Sequence, residues 1–123
     1  MNPVKTDLHS LALVRIAVSA IEDKKGNDIV AIDVREQSSV TDYFVIVSGL
    51  NPPHIKALFN ETQVRLKKEG ALCFGKDGAP DSGWIVADYL DIMIHVFISE
   101  TRNYYALDKL YEDAPRVDMH ERI

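Results

Sequence analysis

Residues 84–98, WIVADYLDIMIHVFI, decide the fold. Two runs rich in β-branched and aromatic residues flank the quartet Asp88-Tyr89-Leu90-Asp91, the pattern of a β-hairpin. With Tyr89-Leu90 as a two-residue loop, Asp88 pairs with Asp91, Val86 with Met93 and Trp84 with His95, because loop length fixes register. Side chains alternate between the faces of a strand. One face carries Ile85, Ala87, Ile92, Ile94, Val96 and Ile98, is wholly aliphatic and belongs in a core. The other carries Trp84, Val86, Asp88, Asp91, Met93, His95 and Phe97, an unusual mixture for a surface. Two carboxylates facing each other across a strand pair cost about a few tenths of a kcal/mol. Two readings of this face stand. Either the chain's own helices cover it and the aspartates are solvated turn residues, or a cationic partner outside the chain compensates.

Working outward, a final helix follows the hairpin, with Ser99 or Thr101 as its cap and Tyr104, Leu107, Leu110 and Tyr111 along its inner face; Pro115 ends it. Residues 75–83, GKDGAPDSG, lead into the hairpin and read as a turn-rich loop. Before them, Leu72–Phe74 reads as a strand. Asn51-Pro52-Pro53 opens a helix, since Asn is a good N-cap and proline is tolerated at the first helical position. Its stripe is Ile55, Leu58, Phe59, Thr62 and Leu66, and Gly70 closes it. Tyr43–Val47 and Ile29–Val34 are strands, joined by the polar segment 35–42. The first helix spans about 7–25 on Leu11, Val14, Val18 and Ile21, with Gly26 in the left-handed conformation at its end. Helices alternate with strands, so the class is α/β: one compact domain, residues 1–115, with a mixed sheet and flanking helices, and a flexible tail at 116–123.

The 123 residues suit a single core. A formal net charge of −5, from 14 basic and 19 acidic residues, leaves no basic footprint for gripping phosphates, so direct nucleic-acid recognition is not expected; a basic protein surface is the better partner. Cys73 is the sole cysteine, which precludes an internal disulfide and suits a small buried thiol. No apolar run is long enough to span a bilayer, and the first ten residues lack a signal-peptide layout, so a cytoplasmic location is expected.

Chemistry-bearing patterns are sparse. His9, His54, His95 and His120 show no metal-ligand spacing, and neither metal nor cofactor is expected. Ser48-Gly49, between a strand and a helix, resembles the turn with which small nucleotidyltransferases hold a phosphate. The closely spaced carboxylate pair that would hold magnesium does not follow it, and Pro52-Pro53 removes two amide donors. A plain strand-to-helix turn is the preferred reading. The enzymatic alternative is a nucleotidyltransferase-like or nucleotide-binding protein using Ser48, Asp33 and Asp88 with magnesium.

Three segments taken together resemble one family. DVREQSSVTDYFVIVSG (33–49), GWIVADYLDIMIHVF (83–97) and ETRNYYALDKLYEDAP (100–115) are similar, in order and spacing, to the ribosomal silencing factor RsfS, the Iojap-like family, over about residues 8–117. The resemblance implies a nucleotidyltransferase-like α/β fold without the catalytic acids, and no enzymatic activity. It implies a translation repressor that binds large-subunit ribosomal protein fourteen and obstructs joining of the small subunit, particularly under starvation. It also implies a contact surface of Trp84, Asp88, Tyr89, Asp91 and His95 with Met93 between them, and a homodimer. The chain departs from the family at Leu90, where Gly is usual, and at Tyr111, where Trp is common.

Overall fold

The computed structural model describes residues 3–119. Ten elements follow one another. They are α1 (Pro3–Asp23), β1 (Asn27–Asp33), β2 (Tyr43–Gly49), α2 (Pro52–Lys68), β3 (Gly75–Ala79), a 3-10 turn (Pro80–Ser82), β4 (Trp84–Asp88), β5 (Ile92–Ile98), α3 (Ser99–Tyr105) and α4 (Leu107–Leu110). The strands form one mixed sheet in the order β1-β2-β5-β4-β3. Only β2 and β5 run parallel, which the crossover through α2 and the β3–β4 hairpin makes possible.

The aliphatic hairpin face lies under α1 and α2. Ile85, Ala87, Ile92, Ile94 and Val96 pack there with Val14, Val18, Ile21, Ile55, Leu58 and Leu66. All five residues of the α2 stripe are buried, and Asn51 accepts the His54 amide as N-cap. A second, smaller core sits on the other face, built from Ile32, Val34, Phe44, Ile46, Phe97 and Ala114, with Leu107 and Tyr111 laid over it.

Several boundaries differ from those read off the sequence. Lys25 and Asp28, not Gly26, take the left-handed conformation after α1. Gly26 is required for space, because a Cβ there would stand 2.5 Å from Ile21 and 2.6 Å from Val47. Leu72–Phe74 is not a strand, and the third strand starts at Gly75 inside the segment expected as a loop. Gly78 there has φ +83° and a Cβ would meet the Trp84 carbonyl at 2.1 Å, so glycine marks an edge strand pressed against its neighbour. The final helix breaks at Ala106, with φ 52°, and leaves Tyr104 and Leu110 exposed instead of inside. The segment from 116, expected as a flexible tail, is tied down over its described part. Arg116 bridges Ile32, the Val117 amide donates to the Ala31 carbonyl, and Val117 and Met119 pack on the main core. Residues 120–123 lie outside the described residues.

Candidate functional site

The hairpin register sets the geometry. Trp84 pairs with Phe97, Val86 with His95 and Asp88 with Met93, two residues along from the pairing expected. The loop is Leu90-Asp91, because Tyr89 continues the ladder by donating its amide to the Ile92 carbonyl. Leu90 adopts φ 70°, the Asp91 amide donates to the Tyr89 carbonyl in a γ-turn, and the Asp88 carboxylate accepts the Leu90 amide. A shift of two preserves which side chains share a face, so the sorting into two faces holds. The pairing of Asp88 against Asp91 does not: Asp88 faces Met93, and Asp91 occupies the turn. No repulsion across the strands needs outside compensation.

The mixed face divides in two. Its inner half is covered by the chain itself, with Phe97 fully buried and His95 5% exposed. The imidazole Nδ1 of His95 accepts the Trp84 indole N–H at 3.2 Å, and the Phe44 ring meets it edge-on at 4.7 Å. Its Nε2 has no partner among the described residues, and burial lowers its pKa to about 4. His95, expected at a contact surface, is instead buried, a neutral ring that orients Trp84 through this hydrogen bond. Tyr89 is also not at the surface. It is 6% exposed, belongs to the helix-side core, and its hydroxyl has no partner among the described residues; burial pushes its pKa up to about 12.

The outer half is partly open. Trp84, Val86, Asp88, Asp91 and Met93 are half-buried. Trp84 stacks on Phe97 at 4.9 Å and meets Tyr105 of α3 at 4.6 Å, while Tyr104 touches Tyr105 edge-on. The structure thus brings together Trp84, Asp88, Asp91 and Met93 with Val86, which the sequence had placed on the same face, and adds Asp77 and Tyr105, which sequence reasoning did not place at the site. The Tyr104-Tyr105 pair was a usable signal for α3, but Asp77 depended on a strand hidden in GKDGAPDSG. A cavity of about 200 Å³ opens among Asp77, Gly78, Ser82, Trp84, Val86 and Tyr105.

The lid over the inner half is held by Arg102. Its guanidinium is buried and donates to both carboxylate oxygens of Asp108, at 3.0 and 2.8 Å, to the Asp28 carbonyl and to the Ser48 hydroxyl. Hydrogen bonding from Arg102 holds the Asp108 carboxyl below its ordinary range. Ser48 is thereby a structural acceptor. The residues of the enzymatic alternative are not gathered: Ser48 lies level with Phe97, Asp88 with Met93 and Asp33 with Tyr43. Five residues of strand separate Tyr43 from Ser48, about 16 Å at roughly 3.3 Å per residue. Among the described residues no three His, Cys, Asp or Glu side chains form a group able to hold a metal, and no helix is long and apolar enough to cross a membrane.

The class defined by this fold and face is a single α/β domain whose mixed sheet is helix-covered on one side and half-open on the other. A family model described as "Ribosomal silencing factor during starvation" matches residues 7–123. The chain belongs to the ribosomal silencing factor family. It is 32% identical over 112 residues to ribosomal silencing factor RsfS of Bacillus subtilis, covering 91% of this chain and 95% of that one. A mouse protein named mitochondrial assembly of ribosomal large subunit protein 1 is 30% identical over 101 residues, 80% of this chain and 44% of that one. A crystal structure from Chromobacterium violaceum superimposes with a TM-score of 0.79 at 31% identity, covering 82% of this chain and 84% of the other.

Proposed function

We propose that this protein silences translation without catalysis, in the cytoplasm, by docking on large-subunit ribosomal protein fourteen and standing where the small subunit must join. The family match across residues 7–123 carries the reading, and the name of the mouse relative supports the large subunit as the place of action. The half-open face supplies a surface of suitable chemistry. Trp84 and Met93 offer apolar contact, and Asp88 and Asp91 meet lysine or arginine of the partner. Tyr89 and His95 contribute from behind: one anchors the hairpin tip in the core, the other fixes the indole. A standard interface covers about 800 Å² per partner, enough for the hairpin with α3 beside it to exclude a second large body sterically.

The test is co-sedimentation with purified large subunits and pull-down of protein fourteen. Wild type is expected to bind in both assays. Trp84→Ala and the double variant Asp88→Lys, Asp91→Lys are expected to bind at least tenfold more weakly, while melting as folded proteins. Unchanged binding by both variants would reject this face.

A second copy of the chain is a further partner, favoured by a specific feature. Among the described residues β3 pairs only with β4, which leaves its outer edge unpaired, and Phe74 beside it is 72% exposed. An unpaired edge flanked by an apolar side chain is a template for strand addition. Sedimentation velocity with and without protein fourteen is expected to show a dimer that persists in the complex; a purely monomeric chain at high concentration would reject the homodimer.

A further inference from the structure

We infer that the cavity between β4 and α3 is a socket for a single lysine or arginine side chain of the docked protein, with the cation held over the rings of Trp84 and Tyr105 and against the carboxylate of Asp77. This rests on the docking proposed above and names one chemical determinant within it.

The wall of the cavity is aromatic. Trp84 and Tyr105 approach to 4.6 Å with their planes tilted by 44°, and Tyr105 is 50% exposed. The indole N–H, the one donor of Trp84, is turned inward to His95. One face of the indole is stacked on Phe97, so what remains for a ligand is the ring surface of Trp84 and Tyr105 turned to the cavity, whose negative π potential attracts a cation. The rim is acidic: one oxygen of Asp77 accepts the Gly78 amide, and the other has no partner among the described residues. Ser82 adds no free donor, since its hydroxyl is engaged with the carbonyls of Ala79 and Trp84.

The base next to Asp77 in the chain does not fill the socket. Lys76 is next to Asp77, but neighbouring strand residues point to opposite faces. Its ammonium group stands over the Phe59 ring, 5.1 Å from the centroid, on the α2 side of the sheet. Rings, an acid with a spare oxygen and, among the described residues, no base in the cavity lining together fit a basic side chain better than an apolar or anionic one. A flat guanidinium or an alkyl-ammonium stem also covers the apolar side of Val86 on its way in.

The experiment measures affinity for purified large ribosomal subunits at low salt, with thermal melting of each variant. Tyr105→Leu is expected to weaken binding by about tenfold, the scale of a desolvated cation–π contact, and Asp77→Asn by about threefold, the scale of an exposed ion pair. Tyr105→Phe, which keeps the ring, is expected to bind as wild type. Asp77 is exposed on an edge strand, so its variant stays folded and reads the socket even if Tyr105→Leu loosens α3. Wild-type affinity in Asp77→Asn, alongside a weakened Trp84→Ala, would overturn the socket and leave the docking face standing. Absence of binding by the wild type would remove both.

Discussion

At His95, burial rather than a charged neighbour decides the titration. The ring lies among Trp84, Phe44 and Phe97, none of which carries a counter-charge, so the loss of solvation dominates. Its pKa falls from 6.5 to about 4, so between these values the unfolded chain binds a proton that the native chain refuses. Stability is therefore full above pH 6.5 and declines as pH drops toward 4. The expected loss between pH 7 and pH 5 is about 2 kcal/mol, from 1.4 kcal/mol per pH unit. His95→Gln keeps an acceptor for the Trp84 indole while removing the titration. Urea unfolding at the two pH values should show most of the pH-dependent loss abolished in this variant; an unchanged loss would place the effect elsewhere. Tyr89 makes a complementary case. Its buried hydroxyl has no partner among the described residues, and leaving such a group unpaired costs about 1–3 kcal/mol. Tyr89→Phe is accordingly expected to match or exceed wild type in urea midpoint, and to bind large subunits equally well. A drop in either would show that the hydroxyl makes a contact.

Among the elements, α3 and α4 depend on one side chain. Ala106 breaks the helix in the left-handed conformation, and the two short pieces are too small to hold themselves. Arg102 closes them onto the sheet by bridging Asp108, Asp28 and Ser48. Arg102→Met would leave a carboxylate, a carbonyl and a hydroxyl without their donor, at an expected cost of about 2–4 kcal/mol in urea unfolding, discounted because Asp108 is about a third exposed. Arg102→Lys, lacking the fork, should recover less than half of it. Full recovery by lysine would mean that charge alone holds the lid. Neither the clasp nor the break was legible in the sequence. Arg102 sits at helical spacing among polar residues, and its partners Asp28 and Ser48 are 74 and 54 residues away. The α2 stripe, by contrast, was readable residue by residue, because cap, prolines, period and closing glycine all agree. GKDGA failed for the opposite reason: its composition is that of a turn, and only pairing with β4 makes it a strand.

For the whole molecule, the alternation of helix and strand was enough for the α/β class and for the two faces of the hairpin. Sheet order was not: it follows from the parallel pairing of β2 with β5, a contact with no local signal, and the return of residues 115–117 onto β1 was equally hidden. The net charge of −5 was legible from the start, and it has a consequence at this scale. An acidic body docked through a few ion pairs on a ribosomal protein displaces few counterions. A body that grips ribosomal RNA with six to ten phosphate contacts loses about 10³–10⁵ in affinity between 50 and 200 mM salt. Docking on protein through Asp88, Asp91 and Asp77 is expected to lose only about tenfold over that range, mostly in association rate, since exposed charges steer encounter and are screened over roughly 10 Å. Titrating large subunits at the two salt concentrations measures the difference. Reversing Asp88 and Asp91 to lysine should flatten or invert the residual dependence if the partner surface is cationic. A steep loss in the wild type, matching phosphate release, would instead place RNA at the interface and remove protein fourteen as the principal contact.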